Sequence, residues 1–250
     1  MCSTRPPSPA PATRRAGRRA EYGLSITDYG TDIYTEPDPS PDTLAHLGPL
    51  RPLAGVWTGA GGSDDHPVVT GNEHDTFVER YELQPIDPQT NGPQLFYGLR
   101  YHTHITKPGD VETFHDQVGY WLWEPAAEAV TLTLAIPRAQ VLLASGPAAA
   151  DATEFELTAA RGTEVHGILS NPFLNQNFRT VSYRVHVTVH DDGTWSYEEE
   201  GLMEIPGRPP YHHVDRNTLT RIVAPTPNPL AAARPDGSLG IGSLRGAPGV

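Results

Sequence analysis

Apolar and polar residues alternate through "FRTVSYRVHVTVHDDGTWSYEEEGLMEI", residues 178–205, and this alternation restricts the folds open to the chain. A period of two sends successive side chains to opposite faces of an extended strand, so the pattern specifies a sheet with one buried face. Asp192-Gly193 divides the run into two strands, because glycine accepts the positive φ of a tight hairpin turn. Similar patterning marks "DTFVERYELQPI", "PQLFYGLRYHTHIT", "ETFHDQVGYWLWEP" and "AVTLTLAIP", with turn residues such as "TKPGD" and "IPGRPP" between segments. No stretch shows the 3.6-residue period of a helix, although Leu44 to Leu53 suits a short helix or turn plugging one end. Nine or ten short strands in one domain imply a sandwich or a barrel. The meander spacing and Trp57 on the first strand favour a closed up-and-down barrel, which removes exposed edges and encloses a cavity.

The ends read differently. Residues 1–45 and 225–250 are rich in Pro, Ala, Ser and Gly and bury too little apolar surface to offset chain entropy, so both are expected to be disordered tails. A single domain is expected over residues 46–224. Five of the 18 basic residues lie in the first 19 positions, and the remainder sets 13 against 30 acidic residues. A surface that negative repels nucleic acid and anionic lipid. Cys2 is the only cysteine, which excludes a disulfide framework and a cysteine-based zinc site. No apolar run approaches a membrane span or a secretion signal, so a cytoplasmic protein is expected.

The histidines carry the chemistry. His212 and His213 follow a Pro-Pro turn and precede a short strand, a placement that core packing does not require. They read either as surface residues or as metal ligands, since a ligating imidazole needs its second nitrogen held by a carbonyl or carboxylate. His102 and His104 lie two apart, hence on one face of a strand, and His115 could meet them across a hairpin. With Glu112 or Asp116 nearby, these three would hold a metal, line a cavity or form a solvated polar face. The seven residues between His104 and Glu112 depart from a cupin pattern. Val185, Val187 and Val189 are expected in the core, which leaves His186 and His190 outside. "SYEEEG" reads as an exposed edge. Tyr120 opposes Trp121 and Trp123, and which set faces inward is open. No nucleophile elbow, phosphate loop or dinucleotide fingerprint is present.

"LAGVWTGAG" (residues 53–61), "FYGLRYHTHI", "HDQVGYW" and "HHVDRNTLTRI" follow in an order that resembles the nitrobindin-like haem-binding β-barrel family, related in shape to fatty-acid-binding and lipocalin-like (calycin-like) barrels. The resemblance covers roughly residues 48–223. It implies an all-β, ten-stranded antiparallel up-and-down barrel binding haem b at one open end. One histidine ligates the iron, and the other side is open to NO or, in ferric haem, to peroxynitrite isomerised to nitrate. The axial residue is expected at His213, with His212 as the alternative. Trp57 and Arg221 are expected to close the barrel base by stacking. The chain departs from the family at "GGSDDHPVVTGNEHD", where a Tyr-Pro-Thr-Ile-like segment would stand beside the haem.

The expected function is therefore haem chemistry on NO, peroxynitrite or another small nitrogen-containing molecule. One alternative is a non-enzymatic hydrophobic carrier. A second is a non-haem metalloenzyme using His102, His104 and His115, which are also the candidate catalytic residues in the haem reading. The expected partners are a small-molecule ligand and, among macromolecules, at most a second copy of the chain as a homodimer, with no nucleic acid and no membrane.

Overall fold

The computed structural model describes residues 28–68 and 70–226. The basic arm with Cys2, and all but the first two residues of the expected C-terminal tail, lie outside the described residues. The alternating segments form β1 (Gly55–Val68), β2 (Gly71–Pro85), β3 (Gln89–Asn91), β4 (Gln94–Thr106), β5 (Thr113–Glu124) and β6 (Ala129–Ile136). They continue as β7 (Gln140–Pro147), β8 (Glu154–Ala160), β9 (Ile168–Ser170), β10 (Arg179–Val189), β11 (Trp195–Glu204) and β12 (Tyr211–Val223). The ladder runs β2-β1-β12-β11-β10-β8-β7-β6-β5-β4 and closes where β2 pairs with β4, giving a ten-stranded antiparallel barrel. The three-residue strands β3 and β9 pair alongside β4 and β7.

Side-chain parity decides what fills the interior. On β10, Tyr183, Val185 and Val187 are buried, while His186 pairs outside with Glu154 at 2.8 Å. On β5, Trp121 and Trp123 point inward and Tyr120 is exposed, which settles the orientation left open above. Asp192-Gly193 makes the β10–β11 hairpin, with Gly193 at φ 81°.

One end of the barrel is sealed. Two 3₁₀ turns, Leu44–His46 and Gly48–Leu53, set Leu47, Leu50 and Leu53 into the core at no measurable exposure. Gly48 holds φ 54° against the Trp123 ring, where a Cβ would fall 2.6 Å from the indole. Beside this plug, the guanidinium carbon of Arg221 stands 4.6 Å from the Trp57 ring centre, and Trp57 Nε1 donates to the Leu53 carbonyl at 2.7 Å. The expected Trp57–Arg221 pair is therefore present, on paired positions of β1 and β12.

Residues 28–45 are not a free tail, contrary to expectation. Tyr29 donates to Glu124, Ser40 N donates to Tyr97 Oη at 3.0 Å, and Thr90 Oγ1 donates to Glu36 at 3.0 Å. Composition understates such a segment, because hydrogen bonds and packing on a preformed surface order it. Among the described residues no helix is long and apolar enough to cross a membrane.

Close strand approach leaves no room for side chains at some glycines. A Cβ at Gly119 would sit 1.9 Å from the Thr133 carbonyl oxygen of the neighbouring strand. Gly119→Ala is expected to destabilise the barrel by about 1–3 kcal/mol through displacement of the β5–β6 ladder. The shift in urea midpoint measures it.

Candidate functional site

A cavity of about 470 Å³ occupies the barrel and reaches the end opposite the plug, where Pro67, Arg138, Phe173 and Phe178 line it. Phe173 belongs to the short helix α1 (Pro172–Asn177), capped by Asn171, whose side chain accepts from Leu174 N at 3.0 Å. Phe173 and Phe178 are 62% and 41% exposed, so the mouth is rimmed by solvent-facing aromatic rings.

His213 stands in the wall near this mouth. It belongs to β12 itself and is not delivered by the Pro-rich loop, because the strand starts at Tyr211. Alternation then turns His213 inward and His212 outward. His212 is exposed and paired with Glu200, so it does not reach the cavity and the alternative ligand is excluded on geometry. His213 Nε2 lies 2.8 Å from Asp64 Oδ1 and 3.6 Å from Asp215 Oδ2. Nδ1 has no hydrogen-bond partner among the described residues. His66 Nδ1 sits 3.0 Å from Asp64 Oδ2 but off the hydrogen-bond line, so it has no satisfied partner.

Charge sets the protonation of this group. Burial alone would lower the His213 pKa, but the Asp64 hydrogen bond and the charges of Asp215, Asp64 and Glu199 carry it up to about 8. Asp64 is held below the ordinary carboxylate range, because contact with His213 and the nearby His66 outweighs its own burial. Asp215 is pushed well up by burial, with the charges of Asp64 and Glu199 adding to it.

Deeper in the barrel lies a second polar group. Glu79 is 1% exposed, and its Oε2 accepts from Tyr197 Oη at 2.8 Å and from Asn217 Nδ2 at 2.9 Å. Burial pushes Glu79 up to about 7, against the pull of those two donors and with the help of the Glu199 charge. Burial likewise raises Glu199.

The three-histidine cluster does not form. His104 pairs with Asp116 and Ile105 with His115 across the β4–β5 ladder, so His115 falls on the opposite face from His102 and His104. Outside, His102 Nε2 meets Asp116 at 2.8 Å and His104 Nε2 meets Thr113 at 3.0 Å. His115 lines the cavity and contacts Gln117 at 3.2 Å, while Glu112 is exposed. A metal shared by these three would have to span the sheet. "SYEEEG" is corrected in part: β11 is an interior strand of the ladder, Glu198 and Glu200 face Arg184 outside, and Glu199 faces the cavity.

Asp64, His66, Glu79, Glu199 and Asp215 were not among the candidate residues. Parity held the signal for two of them, since Glu79 alternates with Phe77 and Tyr81, and Glu199 with Tyr197 and Trp195.

A closed barrel whose largely apolar cavity carries three imidazoles, His66, His115 and His213, and a row of carboxylates is a ligand-binding barrel with a cofactor-grade histidine. Residues 46–221 match the family model described as the THAP4-like, heme-binding beta-barrel domain, and the chain belongs to that family. Among solved structures, Rv2717c from M. tuberculosis is similar in fold, with TM-score 0.51 and 20% identity, covering 74% of this chain and 99% of that one. No curated protein matches.

The donor set fits haem. Phe77, Ile105, Phe114 and Met203 supply apolar wall in the cavity that His213 lines, and one imidazole nitrogen is already held by a carboxylate. That leaves the other nitrogen for iron, the arrangement in which an outer carboxylate fixes ring orientation and strengthens the ligand.

Proposed function

We propose that the barrel binds haem b through His213 at the open end and presents it to a small nitrogen-containing molecule, NO or peroxynitrite, in the cytoplasm. The observation that carries this reading is His213, turned inward at the mouth with its Nε2 anchored at 2.8 Å by Asp64. Bound there, the group would supply an iron position open to NO and, when ferric, a Lewis-acidic one-electron partner for isomerising peroxynitrite to nitrate.

The chain's own residues do the rest. Asp64 would hold the imidazole by accepting a hydrogen bond from Nε2–H, so metal binding at the other nitrogen would release the second proton that His213 carries near neutral pH. The Asp64 carboxylate would place negative potential beside the bound group, which would favour its more positive, ferric state. Phe114, Ile105 and Met203 exclude water from the pocket wall.

A second reading rests on one observation. Donor atoms of Asp64, His213 and Asp215 lie within 4.8 Å of one another, close enough to share a divalent ion without porphyrin.

One titration separates the readings. Haemin added to the full chain should raise a Soret band that saturates. His213→Ala should abolish the band, His212→Ala should leave it unchanged, and Asp64→Asn should weaken haem affinity about 10-fold or more. An unaltered band in His213→Ala overturns the proposal, and stoichiometric metal without porphyrin absorption selects the second reading.

A further inference from the structure

The mouth of the cavity carries a cation that ligation at His213 does not use. Arg138 is the one lysine or arginine among the residues lining the cavity, against four acids, Asp64, Glu79, Glu199 and Asp215. The residue is exposed, and its guanidinium has no hydrogen bond or ion pair among the described residues. Arg179, which follows the rim residue Phe178, is instead tied to the Asn175 carbonyl at 3.1 Å and to Glu204 at 3.5 Å. Topology explains why Arg138 is left unpaired. Counted either way round the closed ladder, β6 lies five strands from β12, so the turn after β6 stands across the barrel from His213 and Asp215. The acids beside His213 therefore belong to the opposite wall.

The turn that presents Arg138 is held in place. Ala139 takes φ 55°, and its N–H closes the turn on the Ile136 carbonyl at 3.2 Å. Asn171 braces it from the far side of β7. Its Nδ2 donates to the Arg138 carbonyl at 2.6 Å, and its backbone N–H donates to the Ala139 carbonyl at 3.0 Å. The Oδ1 of the same side chain caps α1, which carries Phe173, so one asparagine fixes the charged turn to the aromatic rim. Below that rim Leu134, Ile136 and Leu142 continue the apolar wall. Apolar lining under an exposed, unpaired guanidinium suits an amphipathic acid, because the planar fork of arginine takes both oxygens of a carboxylate. A carboxylate placed deeper would meet the acids of the wall, so the charge pattern also decides which end of the guest enters first.

We infer that Arg138 anchors the carboxylate of an amphipathic guest whose apolar body lies in the cavity against Leu134, Ile136, Leu142 and Phe173. A porphyrin propionate and a fatty acid offer this same chemistry. The inference goes beyond haem binding, because it needs no iron, and it makes the rim the place where acids are told from their neutral isosteres.

The test titrates the full chain with two pairs of guests: haemin against haemin dimethyl ester, read from the Soret band, and decanoate against decanol, read from tryptophan fluorescence. In the pair that binds, the acid should bind about 5-fold more tightly than its neutral partner at low salt, the scale of one exposed ion pair. Arg138→Gln should remove that preference and leave the ester and alcohol affinities as in the parent, since the contacts to Asn171 use only backbone carbonyls of the turn. Arg138→Lys should keep part of it, through the charge without the fork. Added salt should shrink the preference in the parent and leave Arg138→Gln unmoved. A preference in the haemin pair assigns the carboxylate to a porphyrin. A preference in the decanoate pair without any Soret band assigns it to a fatty acid, and the haem reading then falls while the rim site stands. Equal binding of acid and neutral partner in both pairs, binding of neither acid, or an undiminished preference in Arg138→Gln overturns the inference. A Soret band that is lost in His213→Ala but indifferent to Arg138 would sink the rim site alone.

Discussion

Trp57→Ala is expected to lower the unfolding free energy by about 3–5 kcal/mol, the range for deleting a fully buried indole. Several contacts end together there. The ring is wholly buried, meets Trp195 edge-on at 6.1 Å, donates to Leu53 and lies under Arg221. The cavity left behind would adjoin the plug, to which the indole is joined through Leu53. Arg221 is solvent-exposed, so Arg221→Ala should cost only about 0.5–1 kcal/mol. Denaturant unfolding of the two single variants and the double variant gives the coupling, and a Trp57→Ala loss below that of Arg221→Ala would refute the role assigned to the ring.

Glu79→Gln is expected to act in the opposite direction, with a size that depends on pH. The carboxyl of Glu79 titrates near 7 in the barrel, against 4.5 for an ordinary glutamate. Below pH 4.5 folded and unfolded chains both hold the proton, and the stabilising effect of the neutral acid is fully present. Between 4.5 and 7 the unfolded chain releases the proton while the folded chain keeps it, so stability falls as pH rises and levels off above 7. The gap between the two values corresponds to about 3 kcal/mol for this fully buried group. Glutamine has no such proton to lose. The variant should therefore match the parent at pH 4 and exceed it by about 3 kcal/mol at pH 8, as read from urea unfolding at both values. A difference independent of pH would show that Glu79 ionises in the folded barrel as freely as in water.

The barrel was legible because its signal is local. Period-two runs and Asp192-Gly193 follow from neighbouring residues, whereas the Trp57–Arg221 pair follows from the resemblance to lipocalin-like barrels. His213 was singled out by the resemblance to the haem-binding barrel family and not by parity, although its parity with Asn217 and Leu219 of β12 is what turns it inward. The site around it was not legible, because its carboxylates come from four strands, β1 and β2 near the start of the barrel and β11 and β12 at its end. Asp64 is 149 positions from His213, and Asn217 is 138 from Glu79. Their approach depends on the register of β1, β2 and β12, which includes shifts at Thr58/Ser63 and Gly59/Gly62 that alternation cannot foresee. The error over His115 has the same origin. A hairpin brings two histidines level only if its register permits, and here the ladder sets His115 against Ile105.

The plug formed by Leu47, Leu50 and Leu53 makes the vessel blind at one end. Every guest must then come and go through a common doorway, the one framed by Phe173 and Phe178. A molecule seated in that doorway therefore governs access to all of the space beneath it.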